Sequence, residues 1–212
     1  MINILLAGVG GQGTVLAAKV LASAASARGW QVRTAETIGM AQRGGSVVSH
    51  VRMAPAGEEV FSSLVMPGTA DIIIALEPGE AARTLPYLAP GGVLVTATTA
   101  IQPVTAALAS IPYRAGDVVA ALANALQGGE GSPVTAPAPL FVPVDDAALV
   151  AELGPASRKS LNMMLLAVAV AVAQNRIPLT LDEVKQAVEA CVKPQFVAMN
   201  LKAIDHAVAA YG

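Results

Sequence analysis

Cysteine is the scarcest reactive residue in this chain. There is one, Cys191, which excludes an internal disulfide. It also excludes an iron–sulfur cluster or a cysteine-rich zinc site built by this chain alone. Charged residues are scarce too, at 13% of the sequence, about half the usual share. Aromatic residues are only 3%, so the core must be aliphatic. So little polar surface implies that part of the exterior is buried against another subunit. The net charge of −2 and a pI of about 5.7 come without a basic stripe or aromatic–basic interleaving, which excludes nucleic acid as a partner class. The longest apolar run, Met163 to Ala173, is well short of the ~20 residues a spanning helix needs. Ile2–Ala7 is too short for a signal core and no basic region precedes it. A cytoplasmic protein without membrane contact is expected.

What is present in quantity is aliphatic. Hydrophobic residues make up 54% of the 212-residue chain, and the mean hydropathy is +0.59. The chain opens on Ile2–Ala7, an apolar run read as a buried strand. Gly8-Val9-Gly10-Gly11-Gln12-Gly13 follows at once, then Thr14 and an Ala/Leu/Val segment ending near Arg28, with Gly29 as the stop. The spacing of Gly8, Gly10 and Gly13 fits G-x-G-x-x-G. There the first glycine permits the turn, the second lets a ligand approach the backbone, and the third lets the helix pack close to the strand. The helix start offers unpaired N–H groups and the positive end of a dipole, an anion site. A tight strand-to-helix turn without a ligand would use the same glycines.

Trp30–Ala35 reads as a second strand and Glu36 follows it, near the place, about 20 residues past the glycines, where a dinucleotide fold puts its ribose-binding acid. An ordinary polar strand end reads the same way. Ile38–Ser46 is a second glycine-rich loop holding Met40, Gln42, Arg43, Gly44, Gly45 and Ser46. Arg43 could grip a carboxylate or phosphate with its planar fork, or pin the loop within the fold or at an interface. Val47–Met53 alternates as a strand does. Pro55–Glu59 is turn chemistry, and Val60–Val65 is the expected returning strand of an antiparallel hairpin. His50, without a nucleophile or second ligand at useful spacing, reads as structural.

Ile72–Leu76 is a buried strand ending at Glu77-Pro78, and a helix follows to about Leu88. That places Glu77 at the carboxyl end of a central strand, where open α/β sheets form their ligand crevice. Pro90-Gly91-Gly92 reads as a turn before a strand at Val93–Ala97. Further on, Thr105–Ser110 and Val118–Leu126 look helical, 127–139 is a Gly/Pro-rich flexible loop, and Leu140–Val144 is a last strand. Helices are expected from Asp145 or Asp146 to Leu153, over Ser157–Asn175, over Leu181–Val192 and over Gln195–Tyr211. The fold class is α/β: a Rossmann-like, doubly wound, mostly parallel sheet with an inserted β-hairpin and C-terminal helices.

These residues together resemble a family. The first glycine turn, Glu36, the run Gly39–Arg52, Ala70-Asp71, Glu77-Pro78, Glu80-Ala81, Asn162-Met163, Asn200 and Tyr211-Gly212 resemble the gamma module of 2-oxoacid:ferredoxin oxidoreductases, in its indolepyruvate branch. The resemblance covers nearly the whole chain as one domain, 1–212, with 157–212 packed on it as helices; 127–139 departs as extra loop. It implies a subunit supporting oxidative decarboxylation of an aryl-pyruvate to the acyl-coenzyme A, with electrons passing to ferredoxin. It implies that thiamine diphosphate, Mg2+ and [4Fe–4S] clusters reside on a larger partner subunit, and that this chain binds none of them alone. Coenzyme A would be the co-substrate of the complex, and a homodimer is one state open to the chain in isolation. The expected cofactor-facing residues are Gly8, Gly10, Gly11, Gln12, Gly13, Thr14, Glu36, Met40, Gln42, Arg43, Gly44, Gly45, Ser46 and Glu77, with no catalytic or metal-binding residue.

Three other readings stay open at this level. A free-standing nicotinamide dehydrogenase would use Gly8–Gly13 and Glu36. An adenylating enzyme would also use a Gly-Gly turn, although it commonly carries paired cysteines for zinc and a catalytic cysteine. A purely structural subunit would use the glycines for packing alone.

Overall fold

A computed structural model describes residues 1–39, 45–101, 113–126, 137–174 and 176–212. The frame is one six-stranded sheet. Its strands are β1 (Ile2–Val9), β2 (Gln31–Ile38), β3 (Ser46–Ala54), β4 (Ala70–Ala75), β5 (Leu88–Ala97) and β6 (Leu140–Val144). In space they run β2-β3-β1-β4-β5-β6. β1, β4, β5 and β6 are parallel neighbours, and β3 alone runs against the rest, pairing antiparallel with both β1 and β2. The helices are α1 (Thr14–Ala27), α2 (Pro78–Thr84), α3 (Ala115–Leu126), α4 (Asp146–Leu153), α5 (Leu161–Val172), α6 (Leu181–Cys191) and α7 (Pro194–Tyr211).

Strand alternation sends neighbouring residues of the sheet to opposite faces, and two cores result. Ile4, Leu6, Val51, Met53, Ile72, Ile74, Val93 and Val95 meet α1, α5, α6 and α7 on one face. Leu5, Ile73, Ala75 and Leu94 meet Ala81 of α2 and Leu122 of α3 on the other. α5 is buried at every position from Leu161 to Val170, which explains why its residues are apolar except for Asn162: it is an internal helix, not a spanning one. No helix among the described residues is long and apolar enough to cross a membrane. Helix α6 begins with a capping box between Thr180 and Glu183, a device that satisfies two otherwise unpaired N–H groups.

The expected α/β, doubly wound, mostly parallel sheet with an inserted hairpin is therefore present, and Val47–Met53 is one arm of the hairpin, but the other arm is not the segment the sequence suggests. The hairpin's arms are β2 and β3, joined through the second glycine loop. Val60–Val65 is not a strand. Side chains of the sheet hold that segment instead. Gln31 Oε1 accepts from the Val60 N–H at 3.4 Å and Arg33 Nε donates to the Val60 carbonyl at 3.3 Å. Arg52 donates to the Ser62 carbonyl at 2.8 Å, and His50 Nδ1 accepts from the Val65 N–H at 3.1 Å. With its polar groups met this way, the segment lies over the sheet without joining a ladder.

Two smaller differences have similar causes. Pro90-Gly91-Gly92 is not a turn before β5 but an irregularity inside it: the register moves from Ala70↔Leu88 to Ile72↔Val93, a bulge at the position where proline has no N–H to give. The helix expected from Ser157 starts instead as a 3-10 turn, Pro155–Ser160, and becomes α-helical at Leu161. The expected helix at 105–110 and most of the Gly/Pro-rich loop, 127–136, lie outside the described residues.

His50 is the buried histidine of this frame, 6% exposed, with its ring edge-on to Tyr87. Burial holds its pKa below the ordinary 6.5, because the charged ring is desolvated. The unfolded chain then binds a proton more readily than the folded one. The stability contributed by neutral His50 is fully present above about 6.5 and is lost as the pH falls through its lowered folded pKa. His50→Ala should cost about 1–3 kcal/mol by orphaning the Val65 N–H. His50→Gln, which keeps an acceptor but does not titrate, should flatten the loss of stability between neutral and mildly acidic pH in urea melts. Identical pH dependence in wild type and His50→Gln would refute this assignment.

Candidate functional site

The site grows from the end of β1. Gly11 and Gly13 take positive φ, +100° and +83°, so the chain can reverse between β1 and α1 where a residue with a Cβ would be strained. Gln12 fills the turn. Its Oε1 accepts from the Val9 N–H at 2.6 Å and its Nε2 donates to the Leu76 carbonyl at 2.7 Å. One amide thus ties the turn both to its own strand and to the end of β4. Gly8 is needed for this: a Cβ there would lie 2.8 Å from Gln12 Oε1 and 3.0 Å from the Thr14 methyl. From the far end of the sequence, Asn162 at the start of α5 donates Nδ2 to the Gly13 carbonyl at 3.0 Å. A Cβ on Gly13 would come within 2.6 Å of that nitrogen.

The second glycine loop is fastened to the first. The Gly10 N–H donates to the Gly45 carbonyl at 2.9 Å, and the Gly39 N–H closes the base of the loop on the Ser46 carbonyl at 2.8 Å. Ser46 Oγ donates to Glu80 Oε2 at 2.5 Å, and Glu80 in turn pairs with Arg83 Nε at 3.3 Å. Met40, Gln42, Arg43 and Gly44 lie outside the described residues.

A cleft of about 530 Å³ opens over the first turn. Val9, Gly10, Gly11, Gln12 and Gly13 form its floor; Leu16, Ile101, Leu161 and Asn162 line its sides, together with Arg158 and Lys159. Backbone N–H groups at a helix start, with Lys159 and the Asp146-paired Arg158 in the lining, are chemistry that suits an anion. Of the residues expected from sequence, Gly10, Gly11, Gln12 and Gly13 line this cleft. Gly8 and Thr14 support it from below, and Gly45 and Ser46 stand beside it.

Two expected residues are placed elsewhere. Glu36 is exposed on β2, and β3 lies between β2 and β1. It is therefore about 10 Å of sheet from the strand carrying the glycines, whereas a ribose-binding acid ends the strand next to it. The inserted strand is the physical reason the spacing misleads. Glu77 comes two residues after β4, as the N-cap of α2, and its carboxylate is committed. Oε2 accepts from the Glu80 N–H at 3.0 Å as the cap of α2, and Oε1 accepts from the Tyr113 hydroxyl at 2.5 Å. Burial, and then the carboxylate it donates to, push the Tyr113 pKa up, so its hydroxyl keeps the proton it donates. Sequence reasoning missed Arg158 and Lys159 because nothing local marks them; only the fold brings them to residues some 150 positions earlier. Among the described residues, no group of three His, Cys, Asp or Glu side chains suits a metal.

Comparison with known proteins bears on this geometry. Residues 3–210 match the family described as pyruvate ferredoxin/flavodoxin oxidoreductase. The indolepyruvate oxidoreductase subunit IorB of Thermococcus kodakarensis is 33% identical over 209 residues, covering 98% of this chain and 95% of that protein. Its counterpart in Pyrococcus horikoshii is 34% identical over the same shares. Among solved structures, the gamma subunit of a keto/oxoacid ferredoxin oxidoreductase from Geobacter sulfurreducens superposes with a TM-score of 0.64 at 21% identity, covering 99% of this chain and 97% of that one. A 2-oxoglutarate:ferredoxin oxidoreductase from Magnetococcus marinus, with 2-oxoglutarate, coenzyme A and succinyl-CoA bound, superposes with a TM-score of 0.66 at 20% identity, over 98% of this chain and 30% of that one. At these identities the two structures share the fold.

The turn itself is testable. Gly13→Ala combines positive φ with a clash on Asn162 and should destabilise the chain by about 1–3 kcal/mol. Gly11→Ala, at a φ of +100° but with no atom of the described residues within 4 Å of the new Cβ, should cost only the backbone strain. Thermal melts giving equal losses for the two variants would show that the Asn162 contact contributes nothing.

Proposed function

Because the chain belongs to the pyruvate ferredoxin/flavodoxin oxidoreductase family, we propose that it is the gamma-type subunit of a cytoplasmic indolepyruvate ferredoxin oxidoreductase. In that reaction a 2-oxoacid and coenzyme A give the acyl-coenzyme A, carbon dioxide and a proton, and two electrons go to ferredoxin. The observation that carries the reading for this chain's own part is the cleft over Gly10–Gly13 with Arg158 and Lys159 on its wall. Its chemistry suits a phosphate group of coenzyme A. The helix start supplies N–H donors, Arg158 a planar fork, and Lys159 a point charge. The glycines let the ligand come within contact distance of the backbone.

The reacting groups are assigned to a larger subunit. One cysteine cannot ligate a [4Fe–4S] cluster, and the described residues offer no carboxylate set for the Mg2+ of thiamine diphosphate. Bound to its partner, thiamine diphosphate would stabilise the carbanion left by decarboxylation. This chain would hold the nucleotide end of coenzyme A so that its thiol reaches that centre, and would help exclude water from it. Arg43 and Gln42, which lie outside the described residues, are proposed from the sequence alone to serve the same anion. Ferredoxin is met through the complex. The low charge content and exposed Phe61, Leu64 and Met66 accord with a chain that is covered by a partner. A free nicotinamide dehydrogenase gains no support, since Glu36 is a strand away from the glycine turn.

Co-expression with the larger subunit should give dye reduction that depends on both indolepyruvate and coenzyme A, and neither chain alone should show it. Lys159→Ala and Arg158→Gln should each raise the KM for coenzyme A about 10-fold, the loss of one charge-assisted contact, with kcat retained. Arg43→Ala should act in the same direction. Unchanged KM in all three variants would remove coenzyme A from this cleft.

A further inference from the structure

Asp146 stands apart among the buried acids. It is fully buried, at 0% exposure, yet it is not the cap of its own helix: Asp145 has that role, accepting from the Ala148 N–H at 3.0 Å. The Asp146 carboxylate turns instead toward the carboxyl end of β5 and toward the cleft wall. Oδ1 accepts from the Thr98 N–H at 3.0 Å and the Thr99 N–H at 2.9 Å. Oδ2 accepts from Arg158 Nη1 at 2.5 Å. The Thr98 N–H also reaches the Val144 carbonyl at 3.1 Å, so the ends of β5 and β6 are part of the same mount.

A carboxylate in this position is strongly unfavourable unless every oxygen is met. Two backbone donors, in the bend directly after β5, fix it to the carboxyl end of the sheet. Arg158 has the opposite character. It is on a 3-10 turn with no side-chain cap, and its side chain is 37% exposed. Left free, it would spread over many rotamers. We infer that Asp146 is a positioning residue that holds the Arg158 guanidinium at the cleft wall in the orientation an incoming anion needs. This rests on reading the cleft as the seat of a coenzyme A phosphate. Only one guanidinium nitrogen is engaged with Asp146, and a guanidinium carries five N–H donors, so donors remain for a ligand.

Electrostatics and positioning make opposite forecasts, which gives the test its force. Asp146→Asn removes a negative charge beside the cleft, so charge alone would tighten anion binding. Positioning predicts the reverse: with Arg158 released, the KM for coenzyme A rises about 10-fold while kcat is retained, measured by dye reduction in the assembled complex. Asp146→Glu keeps the charge but displaces the guanidinium, and should raise the KM as well; it decides the matter if Asp146→Asn does not assemble. The double variant Asp146→Asn with Arg158→Gln should be no worse than Arg158→Gln alone. If Arg158→Gln raises the KM and the Asp146 variants leave it unchanged or lower it, the positioning role is overturned and the cleft assignment stands. If none of them moves the KM, both are overturned.

Discussion

The functional end of the molecule depends on one amide. Gln12 spans from the Val9 N–H to the Leu76 carbonyl, and so closes the glycine turn across two parallel strands. Each bond is short and partly shielded from water, where an unmet backbone group would cost about 1–3 kcal/mol. The glycines around it are consequences of that bridge. Gly8 leaves room for the amide oxygen, and Gly13 lets Asn162 come close enough to bind the turn to α5. The second loop is fixed to the first through Gly10 and Gly45. The cleft floor is thus one cross-linked unit, and the aliphatic cores beneath serve to hold β1, β4 and α5 in the relation it requires.

A second regularity concerns acids. Glu77, Glu80 and Asp146 are all nearly or fully buried, and all are at the carboxyl ends of parallel strands or in the helical turns that follow. Each is met by donors from more than one element: Glu77 by the Glu80 N–H and Tyr113, Glu80 by Ser46 and Arg83, Asp146 by two backbone N–H groups and Arg158. In a chain with few charges these three join segments that no hydrophobic contact would place with the same angular precision. A carboxylate accepts along definite directions, whereas apolar burial is indifferent to orientation.

The fold was legible in the sequence wherever periodicity and punctuation agree. β1, α1, β4, α2, β6 and α4 fall close to where apolar runs, glycines and caps predict them, and Asp145 is the cap of α4. The partner of β3 was not legible. Val60–Val65 has the composition of a strand, but its hydrogen bonds are taken by Gln31, Arg33, Arg52 and His50, and no local pattern shows that. The same insertion moved Glu36 away from the glycine turn. Within the candidate site, the glycine floor was legible because a tight turn demands glycine locally. Arg158, Lys159 and Asp146 were not, because their roles come from tertiary proximity, and Ser157-Arg158-Lys159 reads as an ordinary helix start.

The inserted strand also bears on assembly. During synthesis β1, α1 and β2 are complete before any strand that can pair with β1 exists, and β2 is never its neighbour. β2 and β3 are joined by one short loop, so their pairing is local and quick to close. A pair closed first would enter beside β1 as a ready-made ribbon, with β3 as the strand that meets it. Until it does, the bare side of β1 is an open edge, the kind of surface on which chains adhere to one another. The short connection between β2 and β3 therefore answers to two demands: the finished sheet, and the speed with which an exposed edge of β1 is covered.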